Sequence, residues 1–287
     1  MSCETSASAA ANCRLPTAPA GDILELLAAR ARARAEEQKA RTPLVELEAR
    51  AVALAAAERQ AGGFFAYPFE AAIASAGFAC ICECKRASPS KGLIAPEYDP
   101  VAIALDYEAA GASCISVLTE PEFFLGAAEH LRAVAAAVSQ PCLRKDFVVD
   151  DWFIYEAKLL GAAAVLLIAA ITPRGELERR IHLCRRLGLS ALVEVHTERE
   201  LDDALSSGAS LIGINARNLR DFSVDLGVVE RLAKLVPAGV PVVAESGVKS
   251  REDVLRLKSA GARAALIGET LMRAPDRRAL LAELRSM

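Results

Sequence analysis

Short apolar runs alternating with helical patterns organise most of the chain. The runs have the length and composition of buried strands and fall near residues 79–84, 113–118, 141–146, 163–168, 190–195, 210–215, 241–246 and 263–267. The intervals between them carry Ala- and Leu-rich patterns with helical spacing, at 99–110, 127–138, 151–160, 174–187, 198–206, 226–234 and 250–259. A glycine follows most of these patterns, as a tight turn from a helix into a strand requires.

Eight such strand–helix units predict an α/β protein with a (β/α)8 TIM barrel. An open doubly wound sheet is the alternative, but no G-x-G-x-x-G turn follows the first strand. We assign residues 21–287 to one barrel domain, including an N-terminal helical extension at about 22–75. Residues 1–20 are rich in Ala, Ser, Thr and Pro, which predicts a disordered tail rather than a secretory signal.

Composition narrows the class of function. The chain has 34 basic and 37 acidic residues and a net charge of −3, so nothing in its charge favours nucleic acid or an anionic membrane as a partner. The sequence contains no run of about 18 apolar residues, so it predicts no membrane span. The eight cysteines lack zinc-ligand spacing. They predict free buried thiols in a reducing cytoplasm and no metal.

The first predicted strand ends in an acid and an amine. Strand alternation places Glu83 and Lys85 on one face and Cys80, Cys82 and Cys84 on the other. A salt bridge at a strand end would explain the pair structurally. The functional interpretation is proton transfer, because an acid and a base lie side by side at the strand's carboxyl end.

Further polar side chains occur at the carboxyl ends of other strands, which surround the active site in (β/α)8 barrels. Each has a structural alternative, such as a rim ion pair or a helix cap. Glu194 stands out because an unpaired carboxylate in an apolar strand is costly to bury. His196 is assigned to the opposite face from Glu194, with a structural role. The side chains expected to converge are Lys145 and Phe147 from the third strand, Glu194 from the fifth, Asn215 and Arg217 from the sixth, and Glu245 and Ser246 from the seventh.

The last two strand–helix turns predict a phosphate site. Gly247 and Gly268 lie in short turns that open helices, where backbone N–H groups can approach an anion closely. Glycine turns also serve as plain connections in barrels. Ser88 and Lys91, in the polar loop after the first strand, are further candidates for holding the ligand.

The string E-C-K-R-A-S-P-S-K-G at residues 83–92 resembles the signature of the indole-3-glycerol phosphate synthase family. The motifs L-R-K-D-F, L-V-E-V-H, I-G-I-N-A-R-N-L, V-A-E-S-G-V and L-I-G-E-T-L-M-R follow in the family's order, and the resemblance covers residues 22–287. Glu269 departs from it, standing where many members have serine. The resemblance implies catalytic roles for Glu83, Lys85, Lys145, Glu194, Asn215 and Ser246. It implies substrate contacts for Ser88, Lys91, Phe124, Phe147, Arg217, Leu219, Glu245, Gly247, Gly268 and Glu269.

The resemblance also implies a reaction. Its substrate is 1-(2-carboxyphenylamino)-1-deoxyribulose 5-phosphate, which undergoes ring closure, decarboxylation and dehydration to indole-3-glycerol phosphate without a cofactor. Lys145 is expected to be the ring-closing acid, and Lys85 and Glu83 to act in later steps. Other tryptophan-pathway enzymes are the expected protein partners. The alternatives are a Schiff-base aldolase, which a strand-end lysine permits, and a phosphate-binding barrel without catalytic activity.

Overall fold

A computed structural model describes residues 23–62, 67–218 and 220–286. Eight parallel strands close into a barrel in which each strand pairs with its neighbours and the last pairs with the first. An antiparallel hairpin of two short strands lies in the loop after the first barrel strand. The strands are β1 (Ala79–Cys84), the hairpin strands β2 (Ala87–Ser88) and β3 (Gly92–Leu93), then β4 (Cys114–Leu118), β5 (Cys142–Lys145), β6 (Ala164–Ile168), β7 (Ser190–Val195), β8 (Ile212–Asn215), β9 (Val242–Glu245) and β10 (Ala264–Ile267).

Helices cover the outside of the barrel and precede it, so the predicted (β/α)8 barrel with an N-terminal helical extension is confirmed. The extension consists of α1 (Ile23–Arg41), α2 (Leu44–Gly62) and α3 (Pro68–Ser75). The remaining helices are α4 (Pro100–Ala109), α5 (Ala128–Ala137), α6 (Asp151–Leu159), α7 (Arg174–Arg186), α8 (Glu198–Ser206), α9 (Gly227–Ala233), α10 (Arg251–Ser259), α11 (Glu269–Arg273) and α12 (Arg277–Arg285).

Strand alternation divides the core into two layers. On β1, Ala79 and Ile81 point into the barrel, whereas Cys80, Cys82 and Cys84 pack with the surrounding helices. The predicted separation of the two faces is therefore confirmed. All six cysteines in the described residues are free and buried. Among these residues, no helix combines the length and the apolar character that crossing a membrane requires.

The N-terminal helices contact both ends of the barrel. Phe69 and Ile73 of α3 are fully buried against the barrel interior near the strand starts, where the Cys114 thiol meets the Phe69 carbonyl. Helix α1 instead extends to the strand carboxyl ends, where Leu24 and Leu27 line the mouth. The proposed disordered tail, residues 1–20, lies outside the described residues.

Candidate active site

A cavity of about 460 Å³ opens at the carboxyl ends of the barrel strands. Side chains from the strand ends, the following loops and helix α1 line it. Leu219 lies outside the described residues, and every other residue expected at the site lines this cavity. Those are Glu83, Lys85, Ser88, Lys91, Phe124, Lys145, Phe147, Glu194, Asn215, Arg217, Glu245, Ser246, Gly247, Gly268 and Glu269.

Glu83 and Lys85 form an ion pair at the end of β1. Lys85 Nζ lies 2.7 Å from Glu83 Oε2, and the Glu83 side chain is almost completely buried. Gly268, directly after β10, is beside the pair because β10 is the parallel neighbour of β1. A methyl group at Gly268 would overlap Glu83 Oε2 and lie 3.0 Å from Lys85 Nζ. The glycine therefore leaves the space that the Glu83 carboxylate occupies.

Lys145 lies between two buried carboxylates. Its Nζ is 3.1 Å from Glu194 Oε2 and 2.9 Å from Glu245 Oε2. Burial acts to lower the pKa of Lys145, but Glu194, Glu245 and the nearby Glu83 outweigh it and raise that pKa well above the ordinary value. The ammonium form of Lys145 is thus strongly favoured.

The two carboxylates differ in proton affinity. Burial acts to raise the pKa of Glu194, but Lys145 and His196 outweigh it and lower that pKa. Burial raises the pKa of Glu245 to about 7, and the Glu194 charge adds to that rise despite Lys145. Two carboxylates that share one lysine do not ionise independently, so the proton that enters the pair near neutral pH belongs to both.

The assignment of His196 to the opposite face from Glu194 is wrong. Positions i and i+2 of a strand share a face, and His196 Nε2 lies 3.5 Å from Glu194 Oε1. Its Nδ1 lies 3.2 Å from Glu200 Oε2, at the start of α8. The strand period already contained this signal, since the two residues are separated by a single position.

Glu269 meets three cations at the rim of the mouth. Its carboxylate lies 3.3 Å from Arg273, 3.8 Å from Arg217 and 3.8 Å from Lys91. Arg217 is held further by its backbone N–H, which donates to Asn215 Oδ1, and by a guanidinium contact to the Phe222 carbonyl. The carboxylate therefore contacts cations from the loop after β1, from the loop after β8 and from its own helix α11.

The turn after β9 has backbone geometry that glycine favours. Ser246 and Gly247 have φ of 67° and 89°, both in the left-handed region. A Cβ on Gly247 would also lie 2.7 Å from Val224 Cγ1. The positive φ and the close packing against Val224 explain why position 247 is a glycine, and neither depends on a bound anion. A role for Gly247 or Gly268 in binding phosphate stays a proposal.

Phe124 and Phe147 face each other across one side of the mouth. Their ring centroids are 6.2 Å apart at an interplanar angle of 43°. The loop carrying Phe124 is fixed by Glu120, whose buried carboxylate accepts backbone N–H bonds from residues 122, 123 and 124. The spacing of Glu120 from those residues is a local turn signal that sequence reasoning did not use.

An ion pair holds helix α1 against the barrel next to Lys145. Arg34 of α1 places Nη2 2.5 Å from Oδ1 of Asp146, the residue after Lys145. Asp146 also accepts bonds from Thr119 and from Arg144, which is itself buried. Sequence reasoning missed this network because the partners are far apart in the chain and meet only when the arm packs on the barrel.

Several other residues that line the mouth were also missed. They include the loop residues Phe222 and Val224, the basic Lys249 and Arg273, and the α1 residue Ile23. Lys249 follows the turn after β9 directly, so its position near the predicted phosphate site was a usable signal. The described residues contain no cluster of His, Cys, Asp and Glu that could hold a metal ion.

Comparison with known proteins gives a consistent result. A sequence model of the family described as indole-3-glycerol phosphate synthase matches residues 24–284. The indole-3-glycerol phosphate synthase of Ruminiclostridium cellulolyticum is 50% identical over 219 residues, covering 76% of this chain and 84% of the relative. That of Desulfotalea psychrophila is 51% identical over 208 residues, covering 72% and 80%. Thiamine phosphate pyrophosphorylase from Pyrococcus furiosus has a similar structure, with a TM-score of 0.55 at 19% identity over 72% of this chain and 93% of that one, which bears on the fold alone.

Proposed function

The chain belongs to the indole-3-glycerol phosphate synthase family, and from that premise we propose how its barrel mouth performs the reaction. The function is the synthesis of indole-3-glycerol phosphate in tryptophan biosynthesis. The substrate, 1-(2-carboxyphenylamino)-1-deoxyribulose 5-phosphate, loses one carbon dioxide and one water as the pyrrole ring forms. The observation that carries the residue assignment is the Lys145 ammonium held between two buried carboxylates inside the mouth.

Lys145 is the proposed acid of ring closure. An aromatic carbon attacks the ribulose carbonyl, and negative charge develops on the carbonyl oxygen. An alkoxide is a far stronger base than an amine, so the Lys145 ammonium can give it a proton even with a raised pKa. Glu194 and Glu245 keep the Lys145 side chain protonated and fix its orientation in the mouth. Glu245, expected from sequence to contact substrate, is therefore reassigned in this proposal to holding Lys145.

Glu83 and Lys85 are the proposed groups for the later steps. Decarboxylation restores the benzene ring, and the hydroxyl formed in ring closure then leaves as water. That loss needs an acid at the hydroxyl and a base for the remaining proton. The Glu83–Lys85 pair supplies both groups within 2.7 Å of each other. Glu194 faces the same cavity and can stabilise positive charge developing on the anilino nitrogen.

The remaining contacts divide the mouth into two proposed subsites. Phe124 and Phe147 offer apolar walls for the aromatic ring. The phosphate is assigned to the turns at Ser246–Gly247 and Gly268, with Ser88 and Lys91 from the first loop. Asn215 and Arg217 lie between these subsites in the proposal and hold the substrate hydroxyls and carboxylate.

The electrostatics of Lys145 argue against the Schiff-base alternative. An imine-forming lysine must present a neutral amine, which enzymes obtain by lowering its pKa. Here the two carboxylates raise the pKa of Lys145 instead. The inactive-barrel alternative is disfavoured because every acid and base implied by the resemblance is present in the mouth.

Formation of indole-3-glycerol phosphate by the purified chain is the direct assay, and variants at Lys145 test the mechanism. Lys145→Ala should lower kcat by roughly 10²–10⁴-fold, the usual contribution of a positioned general acid, with its melting transition retained. Lys145→Arg keeps the positive charge but donates a proton poorly. This variant should therefore bind substrate but have a low kcat. Near-normal kcat in Lys145→Arg would show that the residue serves only as a fixed charge.

We also propose a cytoplasmic setting. The free buried cysteines of the described residues fit a reducing compartment. The net charge of −3 offers no positive excess for nucleic acid or anionic lipid. Association with other tryptophan-pathway enzymes is proposed on the family resemblance alone.

A further inference from the structure

His196 connects the site to the start of helix α8. It lies just beyond the end of β7, on the same face as Glu194, and its Nε2 is 3.5 Å from Glu194 Oε1. Lys145 contacts the other oxygen of that carboxylate, Oε2, at 3.1 Å. Glu194 therefore has the Lys145 ammonium on one oxygen and an imidazole on the other.

Glu200 fixes the orientation of the imidazole. Its Oε2 accepts the His196 backbone N–H at 2.8 Å and lies 3.2 Å from His196 Nδ1. Thr197 caps α8 by accepting the Glu200 backbone N–H, and its hydroxyl donates to Glu200 Oε1. Glu200 is thus held at both carboxylate oxygens and at its backbone, which makes it a rigid support for the ring.

The second ring nitrogen has no such support. Nε2 of His196 is buried without a hydrogen-bond partner in the described part of the chain, and the Glu194 carboxylate lies 3.5 Å from it. A buried ring N–H that lacks a partner costs free energy unless a charge compensates it. The position of Glu194 supplies that compensation, provided the imidazole is protonated.

We propose that His196 is a positioning residue that, as an imidazolium anchored by Glu200, holds the Glu194 carboxylate in place and ionised against Lys145. This inference rests on the proposed role of Glu194 at the catalytic lysine. It assigns a second countercharge to Glu194, so that Lys145 does not have to neutralise Glu194 and Glu245 alone.

The charges around His196 support a protonated ring. Glu194 faces it from its own strand, Glu200 from α8 and Glu245 from β9, while Lys145 of β5 opposes from beyond Glu194. The short helical turn Ala169–Ile171, which packs against α8, contributes no ionisable side chain. Burial acts to lower the pKa of His196, but the three carboxylates raise it above the ordinary value. The ring consequently stays charged to higher pH than a free imidazole.

His196→Gln removes the charge while its amide can still reach toward Glu194. We expect kcat to fall by about tenfold, the usual size of one contact within a charged network, with KM within about twofold because no substrate contact is lost. Losing the positive charge raises the proton affinity of the Glu194–Glu245 pair. The inflection of the kcat–pH profile near neutrality should therefore move to higher pH.

The exposed His182 on α7 provides a matched control, and His182→Gln should leave kcat and the profile unchanged.

Proton NMR of the full chain gives a second readout, since the chain has three histidines. The signal lost in His196→Gln should titrate above pH 6.5, the reference value for histidine. Glu200→Gln, which keeps the ring but removes its anchor, should lower that pKa and move the kcat–pH profile in the same direction as His196→Gln. This variant decides the question if His196→Gln fails to fold.

The outcomes separate the inference from the proposed function. A wild-type chain that forms no indole-3-glycerol phosphate would overturn the function. An active wild type with His196 titrating below 6.5, or with an unchanged kcat–pH profile in both variants, would overturn the inference alone. A loss of kcat that is equal at every pH and accompanied by a lower melting temperature would also overturn it, because that pattern indicates a structural role.

Discussion

Gly268 offers a test of how closely the β1 ion pair must be placed. A Cβ at this position would overlap Glu83 Oε2 and lie 3.1 Å from Glu83 Cδ. Non-bonded atoms prefer separations of about 3.5–4.0 Å, so in Gly268→Ala the carboxylate must move by roughly 1 Å. Gly268 has φ of −116°, which is outside the left-handed region that favours glycine.

A displacement of that size at a reacting group can cost about 10²-fold in rate. We therefore expect Gly268→Ala to lower kcat by about 10²-fold, with the melting temperature nearly unchanged and KM within a few-fold. Steady-state kinetics and thermal unfolding measure these quantities. Gly175→Ala is the matched control, because its Cβ would meet nothing within 4 Å, and the activity of that variant should equal wild type.

Two results would refute this reasoning. If Gly268→Ala keeps kcat within twofold, the Glu83 carboxylate either moves freely or has no role in turnover. If KM rises strongly while kcat is retained, the glycine serves mainly to admit the substrate phosphate. Competition by inorganic phosphate should then be weakened in Gly268→Ala but not in Gly175→Ala, which identifies the second case.

Two further predictions concern the N-terminal part of the chain. Deleting residues 1–20, which carry no site motif, should leave kcat and the melting temperature nearly unchanged, and a large drop in either would show that they pack on the barrel. Arg34→Met should lower the free energy of unfolding by about 2 kcal/mol at pH 7, because it removes one charged hydrogen-bond partner of the buried Asp146 carboxylate. Although burial opposes it, Arg34 and Arg144 lower the pKa of Asp146. The ion pair thus stabilises the fold fully above about pH 4, and its contribution disappears as pH falls through the lowered pKa. The difference between Arg34→Met and wild type in urea unfolding should therefore shrink in acid, whereas exposed Arg32→Met should match wild type at every pH.

The strand ends could be predicted because two local rules combine there. The two-residue period fixes which side chains enter the barrel, and parallel strands bring their carboxyl ends together. Glu83, Lys145 and Glu194 follow from these rules without any knowledge of packing. The same period also implied a place for His196 beside Glu194, and the opposite assignment was an error in applying the rule rather than a limit of the sequence.

Other parts of the site depend on contacts that no local pattern contains. The pairing of Arg34 with Asp146 joins residues 112 positions apart, and it exists only because α1 packs across the mouth. The role of Gly268 depends on which side chain fills the space beside it. A glycine turn is compatible with an approaching phosphate and with a neighbouring carboxylate, and only the position of Glu83 shows that the space is already occupied.

The pairing of β1 with β10 has a consequence for how the protein is made. Ile81 and Cys82 pair with Leu266 and Ile267, so the first and last barrel strands are neighbours in space. A ribosome must therefore synthesise the residues up to Ile267 before β1 gains its second neighbouring strand. Contacts over such separations fold slowly because the intervening chain must first be ordered. During translation one edge of β1 stays unpaired, and activity can begin only after β10 has left the ribosomal tunnel.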